Sequence, residues 1–325
     1  MKAHNTGLLK ANIKLKKETE SNLETMKEKF NELKLLSTQV GNNENFHKAY
    51  SCFLYLFSYI PVMGTKLDVG ISLFRSRQHI KKNETFTKIS EISFNQNFHL
   101  IKQGRFNREG ESMFYATLPV NDNLIESTLV ACLETCKRLT ELPAISIKDF
   151  TIGKWEIKQP FYVVNFCMDG EHLKTNFGIK IQIDDYVDLI KTNYNHFTSD
   201  FILEFYQYFS ELSSKRAENN NNYFILIALF LSLREYYKNN PNYKVMGLIY
   251  PSAMSERKGL NIVLIPEVAK NLIYCEKVGM YRFKGSEKSY RAAPCCDVSI
   301  PTEEGYFQIQ GHNTIRDEEH YEPEC

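Results

Sequence analysis

The sequence predicts an α+β fold. Long stretches carry apolar residues at three- and four-residue intervals, and short apolar runs bounded by polar turns alternate with them. The charge is balanced, with 40 Lys and Arg against 39 Asp and Glu in 325 residues, and 43% of the chain is hydrophobic. A chain of this size buries a substantial core as one large domain or two small ones. Its charge leaves no footprint for nucleic acid or an anionic membrane, so any anion site must be local.

Taken in order, residues 8–38 are rich in Lys and Glu and lack Pro, with Leu23, Met26, Phe30 and Leu33 on one narrow stripe. That is a helix, lying on the main domain or serving as a coiled-coil or partner-binding arm. Val40 to Asn45 reads as a linker, and the helix from Phe46 to Ile60 ends before Pro61. After Gly64 comes an apolar strand that ends in Arg75, with Arg77 and His79 on the same parity; His79 reads as a loop residue. Polar residues fill 81–85, and partial alternation from Glu91 to Phe98 predicts a further strand.

The stretch from Gly104 to Glu126 organises the rest. Arg105 and Asn107 lie between Gly104 and Gly110, the apolar run Met113 to Ala116 follows, Pro119 to Asn123 makes a turn, and a helix from Leu124 to Leu133 carries Glu126 in its first turn. Glycines on both sides of an Arg suit a loop that holds an anion. On this segment alone, Arg105 reads equally well as a surface turn residue, and Glu126 as an acidic complement to a helix N-terminus.

Between Ile145 and Ile183 the pieces Phe161–Phe166 and Gly178–Ile183 look strand-like, and 184–215 looks helical and rich in Tyr and Phe. Asp169, Glu171 and His172 share a loop without any ligand spacing, so no metal is expected. An apolar helix from Tyr223 to Lys238 precedes two strands, Met246–Ser252 and Gly259–Ile265. Beyond Ile265 the pattern weakens, apart from a modest basic patch at Lys284 to Lys288 and Arg291, and the chain turns acidic and polar from Pro301.

The apolar runs Cys52–Met63 and Tyr223–Leu233 are too short to span a bilayer, and no apolar leader segment is visible. The eight cysteines show no zinc spacing, and Cys132 and Cys136 read as two buried thiols on one helix face. The expectation is a cytoplasmic, reduced protein.

Three blocks, in order, carry a resemblance: Ile71-Ser-Leu-Phe-Arg75, then Gly104-Arg105-Phe-Asn107-Arg-Glu-Gly110 with the strand bearing Tyr115 and the helix bearing Glu126, then Tyr250-Pro-Ser252 with Gly259-Leu-Asn261. Together they resemble the RES domain family over roughly residues 70–130 and 222–266. The chain departs from that pattern at Arg108 and Glu109, where prolines are frequent, at Lys258, where a second glycine is usual, and in the long interval between Glu126 and Ser252, which implies an insertion.

The resemblance implies an ADP-ribosyltransferase-like split mixed sheet flanked by helices, with an inserted α/β segment and an N-terminal helix. The domains it implies are an N-terminal helical segment and linker over 1–45, a catalytic domain over 46–296 with the insertion at about 140–220, and an acidic tail over 297–325. It implies an enzyme that degrades NAD, as glycohydrolase or phosphorylase, acting as a toxin or defence effector. By residue match Arg75, Glu126 and Ser252 are the catalytic set, with Arg77, Arg105, Asn107, Tyr115 and Asn261 as further substrate contacts. In that scheme Glu126 opposes the positive charge on the ribose, Arg75 and Arg105 bind pyrophosphate with Arg77 as a weaker third, Tyr115 stacks on nicotinamide, and Ser252 donates a hydrogen bond. No base matches a nucleophilic role for Ser252. NAD is the substrate, with phosphate, an antitoxin or regulatory protein, and a second copy of the chain as the other partners the reading allows. The competing readings are an ADP-ribosyltransferase with a macromolecular target and a non-catalytic nucleotide- or partner-binding module.

Overall fold

In a computed structural model of the chain, the description covers residues 16–80, 85–119, 124–136, 139, 147–168, 172–215, 223–240, 244–255, 259–285, 290–294 and 298–309. The strands are β1 Gly64–Leu67, β2 Ser72–Gln78, β3 Phe114–Thr117, β4 Ile147–Ile157, β5 Phe161–Asn165, β6 Gly247–Pro251, β7 Leu260–Leu264, β8 Ile273–Gly285 and β9 Tyr290–Pro294. The helices are α1 Lys16–Ser21, α2 Leu23–Leu36, α3 Asn43–Phe57, α4 Ile89–Ile92, α5 Leu124–Thr135, α6 His172–Thr175, α7 Phe177–Asn193, α8 His196–Ser213, α9 Phe224–Tyr236 and α10 Pro266–Asn271. The class is α+β, with parallel and antiparallel strand pairs. The chain divides into two compact units, one of Met1–Leu67, Phe98–Glu111 and Phe161–Pro251, the other of Asp68–Asn97, Ser112–Pro160 and Ser252–Cys325.

The first unit is mostly helical. The stripe Met26, Phe30, Leu33 and Leu36 of α2 is buried, and Phe30 meets Phe201, Phe205 and Phe209 of α8 at ring distances of 5.8, 5.7 and 6.2 Å. The predicted N-terminal helix therefore lies on its own unit. Helix α3 starts at Asn42, whose side chain accepts from Asn45 N at 2.8 Å, and packs on α9, which is apolar all round and buried accordingly. Strand β5 pairs antiparallel with β1 and parallel with β6. Two buried tyrosines, Tyr186 and Tyr206, donate to the carbonyl of Pro61 at 2.7 and 3.0 Å and fix the entry into β1.

The strand expected at Gly178–Ile183 is instead the start of α7. Ile179, Ile183, Tyr186 and Ile190 are buried at helical spacing, while Ile181 is 44% exposed. Ile-Lys-Ile-Gln-Ile satisfies a period of two over five residues; the next two turns decide for the helix.

The second unit is an antiparallel sheet in the order β7-β3-β2-β4-β8-β9. Helix α5 and the residues after it cover one face: Cys132 and Leu133 of the helix, then Cys136 and Leu139, pack on Phe150, Ile152 and Phe283. Cys132 is a free thiol there, but Cys136 is disulfide-bonded, which corrects the expected pair of thiols. On the other face Phe114 and Trp155 meet edge-on at 5.1 Å.

Two further expectations are corrected in this unit. Glu91–Phe98 is not a strand: its first two residues end α4, Glu91 accepts from the Lys88 and Thr87 amides at 2.9 and 2.8 Å, and a single helical turn begins at Phe98. The weakly patterned chain beyond Ile265 contains β8, of 13 residues. Its buried residues Ile273, Cys275, Val278 and Met280 skip a position between Cys275 and Val278, where the register against β4 shifts at Lys154/Trp155, and Phe283 is buried on the α5 face instead. The beginning of the acidic tail is bound to the unit, with Ser299 and Val278 exchanging backbone hydrogen bonds at 2.8 and 2.7 Å and Phe307 buried.

Candidate functional site

Strands β2 and β3 share a single register pair, Phe74 with Thr117. Beyond it the guanidinium of Arg75 reaches across, donating from Nη1 to the Tyr115 carbonyl at 2.5 Å and from Nε to the carbonyls of Ile92 and Ser93 at 3.2 Å each. Arg75 also lies 5.2 Å from the Phe114 ring centroid. Among the described residues no carboxylate forms an ion pair with it. Burial, followed by the positive charge of Arg77, pushes its pKa down to about 10, against a smaller opposing effect of Tyr115. Arg75 thus lies with Phe114 on one face of the sheet and holds the Tyr115 backbone from there.

Ser76, next on β2, points the other way and donates to the Ala131 carbonyl of α5 at 2.7 Å. Thr117 does the same on β3, donating to Phe74 O at 3.3 Å and to Ser127 O of α5 at 3.4 Å. These contacts identify the face under α5. Alternation puts Tyr115 on the Thr117 side of β3, and the pairing of Thr117 with Asn261 puts Asn261 there as well.

Ser252 is fully buried under the same helix. Its hydroxyl donates to Oε1 of Glu134, which also accepts from Met254 N at 3.2 Å, and Ser252 Oγ accepts from Ser255 N at 3.2 Å. The one proton of Ser252 is therefore committed to Glu134, and a remaining lone pair is what Ser252 has to offer a ligand. In the structure the Ser252 hydroxyl is engaged with Glu134. Glu134 was missed in the sequence because only its reach to Ser252, 118 residues away, marks it. Its place on α5 two turns beyond Glu126 is the signal that was there to be used.

Asn261 is 1% exposed, and neither Oδ1 nor Nδ2 has a hydrogen-bond partner. Each such orphaned group costs about 1–3 kcal/mol. Two residues earlier Gly259 lies against α5: a Cβ there would stand 2.7 and 3.0 Å from the two Val130 methyls. The glycine sets how closely the helix approaches the strand.

The backbone of Glu126 lies in the first turn of α5; its side chain, and most of the expected 119–123 turn, lie outside the described residues. So do Asp169, Glu171 and the His172 side chain. Arg77 carries its guanidinium 5.6 Å from the Phe86 ring centroid and shares parity with Arg75. His79 is buried, hydrogen-bonded through Nε2 to Thr151 Oγ1 at 2.7 Å. Arg105 and Asn107 belong to the first unit. There Arg105 donates to Ser213 O and stacks 5.5 Å from the rings of both Tyr223 and Tyr250. Asn107 closes its own loop, donating to Lys102 O and Arg108 O at 3.1 and 2.8 Å, while Gly110 takes a φ of +75°.

Among the described residues no group of three His, Cys, Asp or Glu side chains is arranged to hold a metal ion, and no helix is long and apolar enough to cross a membrane. No family model matches the chain, and neither does any curated protein.

Proposed function

We propose that this chain cleaves NAD at the bond between nicotinamide and ribose, as a glycohydrolase or a phosphorylase of RES type. It would act as a toxin or defence effector held in check by an inhibitory partner. The observation that carries the reading is the α5-covered face of the second unit, where Tyr115, Asn261 and the Ser252–Glu134 pair share one side of a sheet, with Arg75 at the β2–β3 opening on the other side. The opening is also what supports a split sheet of the ADP-ribosyltransferase kind.

In this reaction the electrons of the C–N bond leave with nicotinamide, which departs neutral, and the ribose carbon becomes an oxocarbenium. Water attacks it and releases one proton, giving ADP-ribose; inorganic phosphate attacks in the same way to give the 1-phosphate. No acid is needed because the leaving group is already cationic. Glu126, by its resemblance to the family Glu, opposes the developing charge, and its effect grows where water is excluded. Ser252, held by Glu134, accepts from a ribose hydroxyl. Arg75 faces the pyrophosphate with a charge the protein leaves poorly compensated, and Tyr115 offers its ring to the nicotinamide. Arg105 and, more weakly, Arg77 would add charge for the pyrophosphate, and Asn107 a further substrate contact.

The test is NAD concentration over time with purified protein, with and without phosphate, beside Glu126→Gln. Consumption by the wild type and a loss of about 10²- to 10³-fold in kcat in the variant are expected. Saturable NAD binding without consumption would replace this reading with a binding module, and ADP-ribose attached to a macromolecule would replace it with a transferase.

A further inference from the structure

Asn261 lacks partners where every neighbour has them. Opposite it, Thr117 is bonded to Phe74 O and Ser127 O; two residues before it, Gly259 N is bonded to Ser255 Oγ at 3.0 Å; and Ser252 is bonded to Glu134. Yet both ends of the Asn261 carboxamide are buried and unsatisfied. What is missing there is a group that presents an acceptor to Nδ2 and a donor to Oδ1 side by side. A hydroxyl or an ammonium offers the wrong balance or a single point of contact. A primary carboxamide supplies both, in plane, at the spacing an asparagine presents.

Asn261 is the second residue of β7 and faces Thr117, the last residue of β3, so the pair lies at the end of both strands. Natural cores leave few such groups unpaired, and those that persist call for an account.

We propose that Asn261 reads the carboxamide of the nicotinamide ring through a paired amide–amide hydrogen bond, Nδ2–H to the ligand oxygen and ligand N–H to Oδ1. This rests on the NAD reading above and adds the specificity residue. The nicotinic acid form of the dinucleotide has no donor for Oδ1 and sets a negative charge against it, so the site rejects it. Polar sites of this kind discriminate against a ligand lacking the matched group by as much as about 10⁴-fold.

The experiment compares NAD with nicotinic acid adenine dinucleotide on the wild type, Asn261→Leu and Asn261→Asp, with thermal melts of each. Expected are a kcat/KM ratio that strongly favours NAD in the wild type, its collapse in both variants, and a higher melting temperature for the Leu variant, in which the unsatisfied amide is gone. Equal use of both dinucleotides by the wild type, or unchanged discrimination in both variants, overturns the assignment while leaving NAD cleavage intact. If neither dinucleotide is consumed, the cleavage reading falls. The assignment is then decided by nicotinamide alone: a melting shift that is absent with nicotinate and absent in the variants upholds it, and no shift overturns it.

Discussion

The Ser252 hydroxyl donates to Glu134 Oε1, and the Met254 amide donates to the same oxygen at 3.2 Å. One carboxylate thereby ties Ser252 and Met254 to α5. Removing it leaves a fully buried hydroxyl and an amide without their acceptor. Glu134→Ala is expected to cost about 1–3 kcal/mol. Glu134→Gln keeps an acceptor oxygen and should recover most of that. Urea unfolding of the three proteins checks this, and equal midpoints for the Ala and Gln variants would show that the carboxylate does not serve as the tie.

Arg75 and the single tryptophan of the chain meet the same ring. Phe114 lies 5.2 Å from the Arg75 guanidinium and 5.1 Å from Trp155. An anion drawn to Arg75 should therefore alter Trp155 emission. Titration with inorganic pyrophosphate is expected to give a saturable change that weakens with added salt and is absent in Arg75→Gln. A change that persists undiminished in the variant would place the anion elsewhere.

The strands and helices that hold this region were legible because each is a local pattern. Met113–Ala116, the Arg75 strand and the Ser252 and Asn261 strands are short apolar runs between turns, and the structure has them as β3, β2, β6 and β7. What escaped was set by tertiary context. The helix at Phe177 was masked by five alternating residues, and β8 by a bulge that broke its alternation. Glu134 could not be told from any other helix carboxylate until the fold brought Ser252 to it. Arg105 and Arg75 look alike in sequence, each beside an aromatic, yet they belong to different units. Charge and spacing carry no signal of that division.

Gly259 tests how closely α5 must lie on β7. Its absent Cβ would fall 2.7 and 3.0 Å from Val130 methyls, and a β-branched side chain on a helix has little freedom to turn away. Gly259→Ala is expected to destabilise by about 1–3 kcal/mol through overpacking. Adding Val130→Ala should return part of that loss, because the second change removes the clashing methyls. A double-mutant cycle by chemical denaturation measures the coupling, and strict additivity would mean the backbone moves instead.

Acid stability gives a prediction with a defined sign. Lys154 Nζ lies 2.5 Å from Glu276 Oε2, and Lys277 Nζ lies 3.0 Å from Oε1. The hydrogen bond from Lys154, ahead of the opposing effect of burial, holds the Glu276 carboxyl down at about 2, from an ordinary 4.5. A carboxyl with a depressed pKa binds its proton less readily in the folded state than in the unfolded one. Its contribution is full above the unfolded value and is lost as the pH falls from there through the folded value. Glu276→Gln should therefore be less stable than the wild type at neutral pH and should converge with it near the acid end. The slope of stability against pH below 4.5 becomes shallower in the variant. Unfolding free energies measured across that range check it, and two curves that stay parallel would show that Glu276 titrates as it does in the unfolded chain.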